Sequence, residues 1–297
     1  MNTITNTFKT WILMAALAGL LVAVGGLIGG RGGMILAFGF ALLMNGFVYW
    51  KSDQLALRAN GARELRPGEA PQLRAIVETL ASRAGIPTPR IYLVDRPEPN
   101  AFATGRDPDH AAIAVTSGLL ELMDERQVIG VLAHELSHIR NRDTLIGTIA
   151  ATIAGAISFI AQIGQFQLIF GGGDDENGGN PILGLLAIIV APIAALVIQL
   201  AVSRSREFQA DATGASITGD PEGLAQALER LHAFTSQQAG ILGRLGRRPS
   251  APAPATQPAF GHLWIVSPLS GASIGSLFST HPPLQERVAR LRGMRFR

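Results

Sequence analysis

Four apolar runs, arranged as two closely spaced pairs, constrain this chain more than any other feature. Residues 11–30 carry no charge and are followed, after a Gly-Arg-Gly-Gly break, by a second uncharged run over 34–50. The second pair covers 145–170 and 181–202, joined by an acidic, glycine-rich connection that includes Asp174, Asp175 and Glu176. Each run is close to the ~20 residues a helix needs to cross a bilayer. A cleaved signal peptide would account for the first run alone, with Ala23-Val24-Gly25 as its small-residue site, but not for the second run directly behind it. A buried core hairpin is the alternative for the second pair. The composition favours lipid, with 47% hydrophobic residues, 16% charged residues and a mean hydropathy of +0.27. Basic residues then set the orientation. Lys9, Lys51, Arg58, Arg140, Arg142, Arg204 and Arg206 flank the four runs on one side, whereas the two turns hold only Arg31. Four spans, with both termini and all large polar segments in the cytoplasm, satisfy that pattern.

The polar segments read as one small α+β unit interrupted by the second hairpin. Leu73, Ile76, Val77 and Leu80 have helical period, and 90–95 and 111–116 are short β-type runs on either side of a turn-rich connection. Asp124 and Gln127 form a capping-box pattern that opens a helix. Asp220-Pro221 opens another, expected to run through Leu231, and a last short helix is expected over 284–291. Residues 240–258 read as a surface loop rich in Pro, Ala, Gly and Arg. The expected organisation is a membrane hairpin over 1–52, a first part of the polar unit over 53–143, a second membrane hairpin over 144–203, and the rest of the polar unit over 204–297. The fold class is α+β, mainly helical, with a small β-sheet and four transmembrane helices in two hairpins.

The chemistry is concentrated in His134-Glu135-Leu136-Ser137-His138. Residues four apart share a helix face, so both imidazoles reach one ion while Glu135 sits beside it. The chain has no cysteine, which leaves only His, Asp and Glu as strong metal ligands and excludes thiol catalysis. Two imidazoles and one carboxylate around Zn²⁺, with a fourth position for water, make a catalytic site, one ion per chain. A metzincin would carry Gly at 141 and His at 144, where this chain has Asn141 and Thr144.

Topology supplies the third ligand. The motif helix runs toward the third apolar run near Asp143, and the fourth emerges near Ser203. His138 lies five residues before Asp143 and Glu207 four after Ser203, so at ~1.5 Å per residue they reach similar heights on adjacent antiparallel helices. Asp211, one turn beyond Glu207, is placed to orient a ligating imidazole. The competing readings are an ordinary ion pair of Glu207 with Arg204 or Arg206, and a surface position for Asp211. Arg140, Arg142 and Asp143 read as a charged collar at the membrane surface.

Four segments together resemble the HtpX family of bacterial membrane zinc endopeptidases, which is related to the CAAX prenyl proteases. They are His134 to Asp143, Ser205-Arg-Glu-Phe-Gln-Ala-Asp211, Pro99-Asn-Ala-Phe-Ala-Thr-Gly105 and Phe278-Ser-Thr-His-Pro-Pro283. The resemblance covers nearly the whole chain and is weakest over 246–258. It implies a gluzincin in the cytoplasmic (inner) membrane, multi-pass, with its protease domain in the cytoplasm and a role in stress-related protein quality control. It also implies that Asn100, Ala101 and Phe102 belong to an edge that binds extended substrate by strand addition. His281 is then either a catalytic group that polarises the scissile carbonyl or a turn residue before Pro282-Pro283.

The expected activity is zinc-dependent hydrolysis of peptide bonds in membrane or misfolded proteins, with Glu135 as general base. A zinc hydrolase of small or lipid substrates and a non-catalytic membrane adaptor with a residual metal site are the competing classes. The expected partners are a protein or peptide substrate and the bilayer. Nucleic acid is not expected, because the arginines are dispersed and only two Tyr and three Trp are present. Oligomeric state, substrate identity and full crossing of the second hairpin are not encoded in these patterns.

Overall fold

A computed structural model describes residues 2–146, 204–244 and 282–295. The second pair of apolar runs beyond Ile146, the residues 245–258 and His281 lie outside them.

The first helical element, α1 (Asn2–Ala59), doubles back on itself at Gly30, whose φ of 55° a residue with a side chain rarely adopts. Gly25 and Gly33 then lie against each other so closely that a Cβ on Gly33 would fall 2.0 Å from the Gly25 carbonyl oxygen. Further along the two arms, the Asn45 side-chain amide donates to the Met14 carbonyl at 3.1 Å. The sequence-based hairpin is therefore present. Its second arm, Gly30–Ala59, is the one segment among the described residues long and apolar enough to span a membrane. It does not stop at the expected boundary of 52 but continues as helix to Ala59, because Ala56 and Leu57 are buried in the polar unit. Ile35, Leu36, Phe38, Phe40, Leu43, Phe47 and Trp50 are left facing outward.

A four-stranded mixed sheet follows, in the order β1 (Arg63–Glu64), β2 (Arg90–Val94), β4 (Ala112–Thr116), β3 (Ala101–Thr104). The β2–β4 pair is parallel and the outer two pairs are antiparallel. Side chains alternate across a strand. Ile91, Ala101, Ala103, Ile113 and Val115 join the main core, while Tyr92, Val94, Phe102, Ala112 and Ala114 pack with Leu57 of α1 on the other face. Both faces of β4 are covered, so its alternation is invisible in the apolar run Ala-Ile-Ala-Val. Asp53 on α1 ties the helix to the sheet through a 2.6 Å ion pair with Arg90.

Helices form the other layer: α2 (Pro71–Ala84), α3 (Ser117–Leu122), α4 (Glu125–Arg140), α5 (Arg204–Thr218), α6 (Pro221–Arg244) and α7 (Leu284–Arg292). The capping box closes as expected, with the Gln127 amide donating to Asp124 at 2.9 Å and the Asp124 amide donating to the Gln127 side chain at 3.3 Å. α6 extends well past Leu231 to Arg244, into the stretch expected to be loop. Two glycines set helix spacing. A Cβ on Gly130 would lie 2.6 Å from the Leu224 nitrogen of α6, and one on Gly214 would lie 3.0–3.1 Å from the backbone of Ala133 and His134. The second approach lets α5 press against α4 at the motif.

Candidate active site

α4 is buried along most of its length, so the motif side chains stand between the sheet and α5. His134 and His138 sit one turn apart, their Nε2 atoms 3.2 Å from each other. α5 runs alongside and brings Glu207 to both rings, with Oε2 3.7 Å from His134 Nε2 and Oε1 3.7 Å from His138 Nε2. One ligand atom from each of His134, His138 and Glu207 falls within 4.8 Å of the others. Glu207 reaches the two rings from 69 positions beyond His138 in the sequence.

The far side of each imidazole faces a carboxylate. His134 Nδ1 lies 3.0 Å from Asp211 Oδ1, and His138 Nδ1 lies 3.0 Å from Asp143 Oδ2. A proton on each Nδ1 leaves each Nε2 with its lone pair directed into the same small space. The two Nε2 atoms, 3.2 Å apart beside the Glu207 carboxylate, need a cation between them, which is a proton when His138 is charged and a metal ion when both rings are neutral. The donor set fits a divalent ion of intermediate softness such as zinc.

Asp143 is thus not a collar residue. The helix ends at Asn141, Arg142 adopts a left-handed φ of 57°, and the Asp143 amide returns to the His138 carbonyl at 3.1 Å. That turn folds the carboxylate back under the ring. Thr144 follows, and its hydroxyl donates to the Gly105 carbonyl at 2.9 Å, just past the end of β3.

Arg287 was not expected at the site at all. It projects from α7, is 2% exposed, and makes paired bonds to Asp211, Nε–Oδ2 at 2.8 Å and Nη2–Oδ1 at 2.7 Å. Its Nη1 also lies 3.7 Å from Glu207 Oε2. A single guanidinium therefore underpins both a ligand and the carboxylate that orients another. Burial works against the Asp211 carboxylate, but Arg287 outweighs it and holds the pKa below the usual value.

Glu135 points toward the sheet edge, where Oε2 accepts the Ala103 amide at 2.9 Å. Burial, with help from the like charge of Glu207, pushes its pKa up to about 7. Burial lowers the pKa of His134, and Asp211 only partly opposes it. Burial also works to lower that of His138, but Asp143 and Glu207 overcome it and raise the value to about 10. The site favours added positive charge.

Among the described residues β3 pairs along one edge only, and the register identifies the groups on the other. Thr116 donates its amide to the Asn100 carbonyl at 2.9 Å, and Phe102 and Thr104 lie opposite Ala114 and Ala112. In an antiparallel ladder, alternate residues turn their main chain to the partner, so those of Asn100, Phe102 and Thr104 face β4. Those of Ala101 and Ala103 face outward, as the bond from Ala103 to Glu135 requires. Of the three residues expected to bind substrate, Ala101 offers an outward main chain. Asn100 and Phe102 turn theirs inward, Ala103 turns its main chain outward like Ala101, and all four residues are buried. His281 lies outside the described residues.

Residues 67–295 match peptidase family M48. The chain is 51% identical over 290 residues to a protein named Protease HtpX homolog from Desulforapulum autotrophicum, covering 97% of this chain and 89% of that one. A protein of the same name from Ralstonia pickettii is 51% identical over 290 residues, covering 97% and 96% of the two chains. Among solved structures, Ste24p of S. mikatae matches with 20% identity and a TM-score of 0.49, covering 97% of this chain and 66% of that one.

Proposed function

The chain belongs to peptidase family M48 and is a membrane-bound metalloprotease, and we propose that its metal is zinc, held by His134, His138 and Glu207, with Glu135 as general base. The observation that carries this reading is the convergence of two imidazoles and a distant carboxylate within 4.8 Å, with Glu135 between them and an open strand edge. When bound there, zinc supplies Lewis-acid polarisation of the scissile carbonyl and acidifies the attacking water.

The chain's own residues do the rest. Asp211 and Asp143 fix the two rings so that both Nε2 atoms face inward. An extended peptide adds to β3 through the outward main chain of Ala101 and the Ala103 carbonyl, the Ala103 amide being held by Glu135, and brings its carbonyl over the site. Glu135, already at the Ala103 amide, accepts a proton from water and returns it to the leaving amine. A strand edge next to the base, without a partner among the described residues, favours a peptide over a small or lipid substrate, since a strand edge recognises main chain.

The membrane topology we infer is four spans in the bacterial inner membrane, with the protease unit in the cytoplasm. The placement of basic residues at the ends of the apolar runs supports it. From the resemblance to the HtpX family we infer that the substrates are membrane or misfolded proteins, in a quality-control role. The test is zinc content and casein cleavage in detergent for the wild type and Glu135→Gln. Zinc near one equivalent in both, with cleavage only in the wild type and abolished by chelator, is expected; cleavage by Glu135→Gln would remove the base from this account.

A further inference from the structure

The cytoplasmic foot of the α1 hairpin carries a second site that catalysis does not use. A cavity of about 370 Å³ lies between α1 and the loop after β3, lined among others by Trp50, Lys51, Asp53, Arg90, Arg106 and Asp109. That size falls in the range of small-ligand pockets, roughly 300–1,000 Å³. Its height relative to the bilayer follows from the sequence of α1. No charge interrupts the helix from Gly32 to Trp50, and Lys51 is the first charge after that stretch. Trp50 is 60% exposed, as Phe38 (52%) and Phe47 (56%) are on the same arm. A tryptophan followed by a lysine at the end of an apolar helix marks the headgroup level of a membrane.

The charges in the cavity sort into used and unused. Arg90 is taken by Asp53 at 2.6 Å. Arg106 lays its guanidinium over the Trp50 ring, 4.5 Å from the centroid, and touches Asp107 only at 3.4 Å, so part of its donor fork remains available. Lys51 and Asp109 have opposite signs and line one cavity, yet among the described residues neither forms an ion pair, with the other or with any group. A ligand that satisfies both needs an anion at one end and a hydrogen-bonding cation at the other.

The geometry points to a headgroup site for an amine-bearing glycerophospholipid, its phosphodiester on Lys51 and Arg106 and its primary ammonium on Asp109. The acyl chains then run along the exposed apolar face of α1. A phosphate suits a lysine point charge beside an arginine fork. A primary ammonium has donors for the Asp109 carboxylate, which a trimethylated amine lacks. This inference rests on α1 being a membrane helix, and its test separates the two.

The experiment uses the full chain, delipidated in detergent and placed in nanodiscs of phosphatidylethanolamine, phosphatidylcholine or phosphatidylglycerol, with retained lipid counted by native mass spectrometry after release. The wild type is expected to retain phosphatidylethanolamine in preference to the other two. Lys51→Gln is expected to weaken retention of all three by up to about fivefold, as for loss of a partly exposed charge pair. Asp109→Asn is expected to abolish only the preference for the primary amine. Both variants should cleave casein as the wild type does. Equal retention in the wild type and both variants overturns the site. Tighter binding of free phosphoethanolamine than of the lipid overturns the membrane source. Failure of the wild type to enter nanodiscs, while it remains soluble without detergent, removes the membrane reading of α1 and the proposal with it; entry without lipid preference removes the proposal alone.

Discussion

Replacing Arg287 by Met removes a charge but little volume, and its consequence can be worked from the structure. Asp211 is 1% exposed and its two oxygens are taken by Arg287 at 2.8 and 2.7 Å. Stripping one partner from a buried pair costs about 3–5 kcal/mol, since the other charge is left without compensation. The carboxylate can escape by taking a proton. From an ordinary pKa near 4, that costs about 1.4 kcal/mol per pH unit, or about 4 kcal/mol at pH 7 and about 1.4 kcal/mol at pH 5. Asp211 is a carboxyl group held low in the fold, so its contribution is present at neutral pH and lost as pH falls. The destabilisation of Arg287→Met should therefore shrink at pH 5. At pH 7 it should lower the thermal midpoint of the metal-free protein by about 10 °C.

Zinc affinity is the readout that separates positioning from simple stability. A protonated Asp211 is a weaker, uncharged acceptor for His134 Nδ1, and loss of such a charged partner costs roughly 10–100-fold in metal affinity. Arg287→Met/Asp211→Asn removes both members of this buried pair, so its thermal midpoint should return toward that of the wild type. Its zinc affinity, measured by competition with a fluorescent chelator, should stay at least about tenfold down, because a neutral amide is the weaker acceptor. Wild-type zinc affinity in a folded Arg287→Met would refute the reasoning. It would mean that the guanidinium serves packing alone.

Two further substitutions probe the same scaffold. Asp143→Asn should weaken zinc binding roughly 10–100-fold without changing the helix content, because it loosens His138 alone; chelator competition and circular dichroism check this. Gly214→Ala places a Cβ 3.0–3.1 Å from the backbone of Ala133 and His134, so α5 must retreat by a few tenths of an ångström and carry Glu207 with it. A loss of about 1–3 kcal/mol in stability is expected, with kcat falling more than KM rises, in denaturation and peptide-cleavage assays.

Most of the candidate metal site was legible because its signals are local or follow from helix geometry. His134 and His138 declare themselves by a spacing of four. Glu207 could be located because two antiparallel helices joined at a common height must bring it near. Asp143 was misread as a collar, since Arg-Asn-Arg-Asp beside an apolar run looks like any membrane boundary. Only the left-handed Arg142 turns its carboxylate inward. Arg287 gave no signal in the sequence. The chain holds 25 Lys and Arg, four of them between 287 and 295, and the sequence does not mark which one faces a buried carboxylate. The strand at 101–104 is absent from the residue pattern for a related reason and is reached only through the family resemblance. Its flanks, Pro97, Pro99 and Gly105, are turn residues, and its pairing with β4 is decided by tertiary contacts.

The charges around the motif point to one further consequence. Four buried carboxylates, Glu135, Asp143, Glu207 and Asp211, face two buried guanidiniums, Arg206 and Arg287, which leaves an excess of two negative charges. Buried groups relieve such an excess by taking up protons. The two groups pulled up are Glu135, to about 7, and His138, to about 10. A divalent cation supplies the same two charges and must displace those protons as it binds. Both groups have raised pKa values, so both carry protons at pH 6, and only His138 does at pH 8.5. Zinc binding should therefore release close to two protons at pH 6 and close to one at pH 8.5, and its affinity should climb more steeply with pH below 7 than above. Calorimetry in buffers of different ionisation enthalpy counts those protons directly. A release that is nil at both pH values would mean that the cluster is neutral before the metal arrives, and the charge argument for a dication would fail with it.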